Sequence, residues 1–134
     1  MSLELGGDRA ELERLATAVE EFAQQQGWPA AVVFKVHLVL EELVINVMAH
    51  GGRGGDTEIE VAVRSGEDLI SISVVDNGVA FDPLTEAPEP ETSGPIEDRD
   101  AGGLGVHLVR TMMDDVSYRR EADRNRLTMT TPKS

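Results

Sequence analysis

The sequence predicts an α+β fold, a two-layer α/β sandwich in which helices cover one side of a mostly antiparallel sheet. Before residue 51, apolar residues recur at steps of three and four, which is typical of helices that pack against a core. After residue 58, apolar and polar residues alternate around short turns, which indicates strands. The predicted element order is β-α-α-β-β-loop-α-β-β, and helices grouped in this way pack on one side of the sheet.

The chain begins with a short edge strand, predicted at residues 3–5, and a first helix over residues 8–26. Asp8 precedes Glu11 by three residues, which is the spacing of a capping box at a helix start. Apolar residues at helical spacing then continue as far as a polar, glycine-containing segment that ends the helix. We expect the opposite face of this helix to be solvated.

A second helix over residues 29–50 is apolar on nearly every side, so we expect it to be buried between other elements. Glu42 and Asn46 are four residues apart and share one face, with His50 one turn further along. One interpretation is a buried hydrogen-bonded pair, because an unpaired carboxylate in a core is costly. The other is a general base at Glu42 and a magnesium ligand at Asn46, since hard cations take oxygen donors.

A glycine-rich stretch at residues 51–55 follows and is predicted to be a flexible surface turn. A hairpin comes next, and its second strand runs directly into Asp76-Asn77-Gly78. Near the end of the chain, two more strands are predicted on either side of a turn at residues 123–125. The four later strands are predicted at residues 59–63, 69–75, 116–120 and 126–130.

Residues 81–101 hold four of the six prolines and show no periodicity. Loops of this length inside a small domain are uncommon and are generally lids, binding loops or linkers. Because a helix is predicted to start immediately afterwards, at a cluster of glycines, we interpret the loop as a lid within one domain.

Length and composition restrict the class of protein. A chain of 134 residues suits a single domain, here residues 1–134. The absence of cysteine excludes a disulfide framework and fits a cytoplasmic location. A net charge of −13 argues against nucleic acid as a partner, because phosphate backbones require a basic surface. With no apolar run long enough for a membrane span, we expect a soluble protein that does not bind membranes.

Three motifs occur in a set order: Glu42-x-x-x-Asn46 on a helix, Asp76-x-Gly78 after a strand, and Gly102-Gly103-Leu104-Gly105 at a helix start. Together they resemble the N, G1 and G2 boxes of the GHKL superfamily of ATPases and kinases, which have the Bergerat ATP-binding fold. The resemblance covers nearly the whole chain and implies a histidine-kinase-like ATP-binding domain.

Further residues narrow the resemblance. The chain is similar to the stand-alone anti-sigma factor serine/threonine-protein kinases at three places. These are the continuation of Asn46 into His50-Gly51, the residues that follow Asp76, and the closing Asn125-Arg126-Leu127-Thr128-Met129. That subfamily implies ATP and Mg²⁺ as cofactors, a homodimer, and two protein partners. The partners are a sigma factor and an anti-anti-sigma protein of the STAS type.

The resemblance also implies roles for single residues. Asp76 would accept a hydrogen bond from the exocyclic amine of adenine, which suits an acceptor-only carboxylate. Gly78 would let the backbone approach the base. Asn46 would hold Mg²⁺ and Glu42 would take the proton of a substrate serine. His50, on the same face, would either orient a phosphate or close the end of the helix, and we favour the second.

The glycine cluster would bind the phosphates through amides at a helix N-terminus. Its residues are Gly102, Gly103, Leu104 and Gly105. One position departs from the family pattern, since the G1 box usually carries a second glycine where this chain has Ala80. We expect a methyl group there to narrow the adenine pocket or to stiffen the hinge of the lid.

The sequence therefore predicts an ATP-dependent protein-serine kinase that sequesters a sigma factor and phosphorylates a STAS partner. One alternative is a nucleotide-gated binding module, in which ATP orders the partner surface but no phosphate is transferred. Another is the ATPase domain of a histidine kinase. Against it, no predicted helix offers a phosphoacceptor histidine with dimerisation heptads.

Overall fold

The computed structural model describes residues 1–80 and 109–133. In this part of the chain, five strands form one sheet and two α-helices pack against it, while residues 109–112 are also helical. The elements are β1 (Ser2–Leu5), α1 (Glu11–Gln26), α2 (Ala30–His50), β2 (Ile59–Ser65), β3 (Leu69–Asp76), β4 (Asp114–Glu121) and β5 (Arg124–Pro132).

The sheet has the strand order β1-β2-β3-β5-β4, and every neighbouring pair is antiparallel. The predicted α+β sandwich with an antiparallel sheet is therefore confirmed. β1 lies at one edge of the sheet, as predicted, and β4 lies at the other. β3 is the central strand, so whatever follows its last residue emerges from the middle of the sheet.

Side chains alternate between the two sides of the sheet, as the period of a strand requires. One side is buried and joins the apolar faces of α1 and α2 in a single core, which includes Leu15, Val36, Leu40, Val61, Ile72, Val74 and Met129. The other side, which we call the open face, carries polar and small residues. Its members include Glu4, Glu60, Ser71, Ser73, Val75, Arg119, Arg126 and Thr128.

The first helix begins at Glu11 and not at residue 8, so the predicted start is wrong by three residues. The capping box does not form: Asp8 Oδ1 accepts from the N–H of Ala10 at 2.9 Å. The carboxylate of Glu11 instead accepts from the N–H of Gly6 at 3.0 Å and pairs with Arg14 at 2.9 Å. Arg14, and then Gly6, lower the pKa of Glu11. This carboxylate therefore joins β1 to α1.

The second helix spans Ala30–His50 and follows Pro29, in agreement with the prediction. It contacts α1 and β3 and buries seven side chains, Asn46 among them. Its outer side is exposed, however, and 65% of Phe34 is accessible to solvent. The expectation that α2 is enclosed by other elements therefore holds for only part of its surface.

The glycine-rich stretch after α2 is exposed at residues 52–55, as predicted for a surface turn, but its first residue is anchored. Gly51 is buried, and its carbonyl accepts from the N–H of Val79 at 3.0 Å. A Cβ built on Gly78 would lie 2.7 Å from the Cα of Gly51, so the two backbones are in direct contact. The end of α2 is thereby attached to the segment that follows β3.

Asn77 forms hydrogen bonds with residues 53–58, which follow Gly51 in the chain. Its side chain donates to the carbonyl of Asp56 at 2.9 Å and accepts from the N–H of Glu58 at 2.9 Å. Its own carbonyl accepts from Arg53 Nε at 3.0 Å. The turn therefore has a fixed position relative to β3, and residues 54–56 form one turn of 3₁₀ helix within it.

The turn between the last two strands lies at Ala122 and Asp123, not at residues 123–125. Both residues have positive φ, 50° and 62°, which is the backbone of a two-residue type I′ hairpin turn. Asn125 consequently belongs to β5, where it lies opposite Asp76 of β3.

Replacing Gly78 with alanine is expected to destabilise the protein, because the new methyl would collide with the backbone of Gly51 and with Asp76 Oδ1, 2.9 Å away. Overpacking of this kind costs about 1–3 kcal/mol of unfolding free energy. Gly55→Ala is the matched control, since a Cβ there meets nothing within 4 Å. Urea denaturation of both variants measures the difference. Equal stability of the two would contradict the close contact.

Candidate functional site

A pocket lies where the last turns of α2 meet the end of β3 and the beginning of β5. Its walls are mostly apolar, with a few polar groups that converge on the same space, which is the usual composition of a ligand site. The polar side chains are Asn46, His50, Asp76 and Asn125, and the apolar ones include Leu43, Val74 and Leu127.

Asp76 is the last residue of β3 and only 6% of it is exposed. Its Oδ1 accepts from the N–H of Gly78 at 2.8 Å and from Asn125 Nδ2 at 3.0 Å. No residue in the described ranges donates a hydrogen bond to its Oδ2. Because a buried carboxylate needs donors, this second oxygen is suited to a ligand that brings an N–H group.

Asn125 fixes the orientation of that carboxylate. Its Nδ2 donates to Asp76 and also to the carbonyl of Val79, at 2.9 Å. Its Oδ1 accepts from the hydroxyl of Tyr118 at 2.5 Å and from Arg120 Nη1 at 3.2 Å. Both the donor and the acceptor of this amide are therefore engaged, so the side chain cannot rotate without breaking several bonds.

Arg120 extends this network to the turn after β3. The same Nη1 donates to the carbonyl of Gly78 at 2.8 Å. Strand β4 is thus linked through Arg120 and Asn125 to the backbone around Gly78, which already contacts Gly51. Three elements far apart in sequence hold one short backbone segment in place.

Sequence reasoning missed Asn125, Arg120 and Tyr118 as site residues. For Asn125 a signal existed, because it lies two residues before Leu127 and four before Met129, which share its buried side of the strand. A polar residue on a buried face calls for a partner. Placing the turn at residues 123–125 concealed this periodicity.

Asn46 contributes a second unusual group to the pocket. The residue is 5% exposed, and its Oδ1 is buried without a hydrogen-bond partner in the described part of the chain. Buried side-chain oxygens are nearly always paired, so such an exception requires an explanation. A hard cation that takes oxygen ligands would satisfy it.

A single amide oxygen is compatible with magnesium. Within residues 1–80 and 109–133, no three histidine, cysteine or acidic side chains cluster as a metal cage. Mg²⁺ is commonly held by one or two protein groups together with phosphate oxygens and waters. One amide oxygen at the wall of the pocket is compatible with a site of that kind.

Glu42 lies one turn before Asn46, is half-buried, and is not among the side chains that line the pocket. Among the described residues it forms no ion pair or hydrogen bond. Burial, and then the neighbouring charge of Glu41, raise the pKa of Glu42. A carboxylate with a raised pKa is a better proton acceptor than an ordinary one.

The other predicted residues have mixed outcomes. His50 ends α2 and lines the pocket together with Asn46, as the shared helix face implied. Gly78 is buried beside Asp76, whereas Ala80 is exposed and does not line the pocket. The predicted lid at 81–101 lies outside the described residues, as do Gly102, Gly103, Leu104 and Gly105.

The sequence matches a family model. The model describes the histidine kinase-like ATPase domain and matches residues 7–131. The chain belongs to this family. The GHKL family predicted from the N, G1 and G2 boxes is confirmed.

Curated relatives place the chain among the serine kinases of the family. Serine/threonine-protein kinase BtrW of Bordetella bronchiseptica is 32% identical over 113 residues, which cover 84% of this chain and 79% of BtrW. Serine-protein kinase RsbW of Listeria innocua is 35% identical over 101 residues, which cover 70% and 62%. The chain thus spans less than two thirds of RsbW. The predicted enzyme class, a serine/threonine-protein kinase, is confirmed by these relatives.

Solved structures share the fold at low sequence identity. The structure of the RsbU and RsbW domains of Rv1364c from Mycobacterium tuberculosis covers 98% of this chain, with a TM-score of 0.64 and 13% identity, over 32% of its own length. The SiaB–SiaC complex of Pseudomonas aeruginosa gives a TM-score of 0.57 and 13% identity, covering 98% of this chain and 89% of the other. No helix within residues 1–80 and 109–133 is long and apolar enough to cross a membrane.

Replacing Asn125 with alanine is expected to lower the free energy of unfolding by about 1–3 kcal/mol, because the buried Oδ1 of Asp76 and the partly buried carbonyl of Val79 would each lose a donor. Thr128→Ala on the same strand is the control, since it removes only an exposed hydroxyl pair with Ser117. Chemical denaturation followed by circular dichroism compares the two. A loss no larger in Asn125→Ala than in the control would contradict the proposed role of the amide.

Proposed function

We propose that this chain is an ATP-dependent protein-serine kinase that acts as an anti-sigma factor. In this proposal it sequesters a sigma factor, phosphorylates an anti-anti-sigma partner of the STAS type, and works as a homodimer. Relatives named as serine kinases support the transfer of phosphate to a protein serine. The choice of partners follows from the subfamily that the sequence resembles.

The observation that carries the proposal is a pair of oxygens in one pocket, Asp76 Oδ2 and Asn46 Oδ1, to which no described residue donates a hydrogen bond. Asp76 offers an acceptor held in place by Gly78 and Asn125. Asn46 offers a buried oxygen that lacks a partner among the described residues. An adenine amine at the first and Mg²⁺ at the second would satisfy both, and ATP with magnesium supplies the two groups together.

The same carboxylate explains a preference for adenine. At the position where adenine has an amine, guanine has a carbonyl, which would face the acceptor-only carboxylate of Asp76 and leave both oxygens without a hydrogen. Sites that are built to pair a substrate group reject analogues that lack it, because the buried partner is left unpaired. We therefore expect ATP to be used in preference to GTP.

Phosphate transfer needs a group that removes the proton of the attacking hydroxyl. Glu42 is proposed for this role, and its raised pKa supports it. The serine oxygen forms a bond to the γ-phosphorus, the bond to the bridging oxygen breaks, ADP leaves, and Glu42 holds the proton. Magnesium, when bound, neutralises charge on the phosphate oxygens, and Asn46 would contribute one of its ligands. Phosphate binding by residues 102–105 remains a prediction, as does a lid at 81–101 within one domain.

A nucleotide-gated binding module without phosphate transfer is the second candidate. Two observations favour it: Glu42 does not line the pocket, and Ala80 replaces a glycine of the G1 box. In such a module, ATP binding would still depend on Asp76 and Asn46, but Glu42 would have no role in turnover.

The test compares Glu42→Gln and Asn46→Ala with the parent, using Mg-ATP and purified STAS proteins, with phosphorylation read by intact mass. Glu42→Gln is expected to bind ATP like the parent but to transfer phosphate about 10²- to 10⁴-fold more slowly, which is the usual contribution of a general base. That range corresponds to about 3–5 kcal/mol of barrier. Asn46→Ala should lose the magnesium-dependent part of ATP affinity as well.

Glu20→Gln, on the exposed side of α1, is the control for a change of charge alone and should behave like the parent. Phosphate transfer by Glu42→Gln at the parent rate would remove the general base. A parent that binds ATP and a STAS protein but transfers no phosphate would leave the binding module as the better account.

A further inference from the structure

The backbone that follows β3 is hydrogen-bonded at each of its N–H groups. In residues 77–79, these groups donate in chain order to the carbonyl of Glu58 at 3.2 Å, to Asp76 Oδ1 at 2.8 Å and to the carbonyl of Gly51 at 3.0 Å. The three acceptors belong to the residue before β2, to the end of β3 and to the turn after α2. Three different parts of the chain therefore fix the donor side of this segment.

The carbonyl groups of residues 77–79 are occupied as well, and all three accept from side chains. In chain order, the donors are Arg53 Nε at 3.0 Å, Arg120 Nη1 at 2.8 Å and Asn125 Nδ2 at 2.9 Å. Two of these donors are guanidinium groups, one from the turn after α2 and one from the edge strand β4. Two consecutive peptide carbonyls are thus each bonded to a cationic side chain of another element.

The two arginines are not needed simply to satisfy these carbonyls. The bond from Arg53 is exposed and that from Arg120 is partly buried, so water could serve as a donor at either place. Holding a long side chain in one position costs conformational entropy. In return, a planar charged group forms short hydrogen bonds of fixed direction. The arginines therefore contribute to the position of the segment more than to its stability.

Arg120 contacts both residues that hold the carboxylate of Asp76. Its Nη1 donates to the carbonyl of Gly78 and, at 3.2 Å, to Asn125 Oδ1. The N–H of Gly78 and the Nδ2 of Asn125 are in turn the two donors to Asp76 Oδ1. A single guanidinium nitrogen is therefore connected to Asp76 along two separate routes.

Arg53 is connected to the same carboxylate through one peptide unit. The carbonyl of Asn77 and the N–H of Gly78 belong to that unit, which is planar. Arg53 holds its oxygen, and its N–H donates to Asp76 Oδ1. Because the unit is planar, fixing the oxygen also fixes the direction of the N–H. A donor at the oxygen polarises the peptide as well, which strengthens its bond to the carboxylate.

We propose that Arg53 and Arg120 are positioning residues for the base of the nucleotide. They set the place at which Asp76 Oδ2 meets the amine of adenine, and neither has to touch ATP. A preformed site avoids the cost of ordering its groups when the ligand binds. A shift of about 1 Å in such a group is enough to weaken a site strongly. The inference rests on adenine binding in the proposed function and assigns the residues on which the base preference depends.

Calorimetric titration of ATP and GTP into Arg53→Met and Arg120→Met tests this role. Each variant should bind ATP about tenfold more weakly, the lower value of one hydrogen bond to a charged group. GTP affinity should change little, because guanine has no amine at that position. The preference for ATP over GTP should therefore fall about tenfold as well. Thermal denaturation of each variant establishes the temperatures at which it is folded.

Arg119→Met is the matched control. It removes an arginine from the same strand as Arg120, one whose guanidinium pairs with Glu121 on the open face. This variant should keep the parent's preference for ATP. Equal losses of ATP and GTP affinity in Arg53→Met and Arg120→Met would show that the arginines only stabilise the fold, and would overturn the inference. So would parent-like affinities in both variants.

Adenosine, which has no phosphates, separates positioning from direct contact with the ligand. If the arginines act through Asp76, adenosine should lose the same factor of affinity as ATP in both variants. An arginine that binds a phosphate oxygen would instead weaken ATP and leave adenosine at the parent affinity. That result would overturn the inference.

Phosphate transfer measured on the same samples separates this inference from the proposed function. Arg120→Met should raise KM for ATP and leave kcat within about twofold of the parent, because a loss of uniform binding acts on KM alone. A parent that binds ATP in preference to GTP, with the expected losses in the variants, but transfers no phosphate would remove the kinase and leave the inference standing. A parent that transfers phosphate while both variants keep its preference for ATP would do the reverse. A parent that binds neither nucleotide would overturn both.

Discussion

The contact on which the site depends is the pair of hydrogen bonds to Asp76 Oδ1, donated by the N–H of Gly78 and by Asn125. A carboxylate that is 6% exposed at the end of a central strand is stable only if donors reach it. One donor comes from its own chain two residues later, which bends the backbone into a turn. The other comes from β5, so the sheet must be complete before the carboxylate is satisfied.

The close contact between Gly51 and Gly78 follows from this arrangement. The turn that brings the N–H of Gly78 back to Asp76 places its Cα against the end of α2, where no side chain would fit. Asn46 and His50, on the last turns of the same helix, therefore come to lie beside Asp76 in one pocket. Residues about 30 positions apart in sequence meet because two glycines allow two backbones to touch.

Much of this architecture is encoded locally. The limits of α2 and the β2–β3 hairpin follow from hydrophobic period, proline and turn residues, and all were predictable. The start of α1 was not, because Glu11 bonds to Gly6 across the preceding turn and does not complete a cap with Asp8. A side chain with several possible partners within six residues cannot be assigned from spacing alone.

The residues of the candidate site also fall into those that the sequence predicted and those that it did not. Motif spacing predicted Glu42, Asn46, Asp76 and Gly78, and the structure brings Asn46 and Asp76 to one pocket with Gly78 beside Asp76, whereas Glu42 lies outside it. Asn125 was missed because its role depends on strand register, which pairs it with Asp76, 49 residues earlier in the sequence. Arg120 was missed for a similar reason, since its target is a backbone carbonyl, which no side-chain pattern reveals. The sequence alone did not determine the register between strands that are far apart in the chain.

The central claim is that Asp76 Oδ2 receives the amine of adenine, and calorimetric titration of ATP into the Asp76→Asn variant tests it most directly. The amide retains an oxygen for Gly78 and Asn125 but presents a second donor to the amine. The account predicts an intact fold and a fall in ATP affinity of about tenfold to a hundredfold, the value of one hydrogen bond to a charged group. Unchanged ATP affinity in a folded Asp76→Asn variant would contradict it.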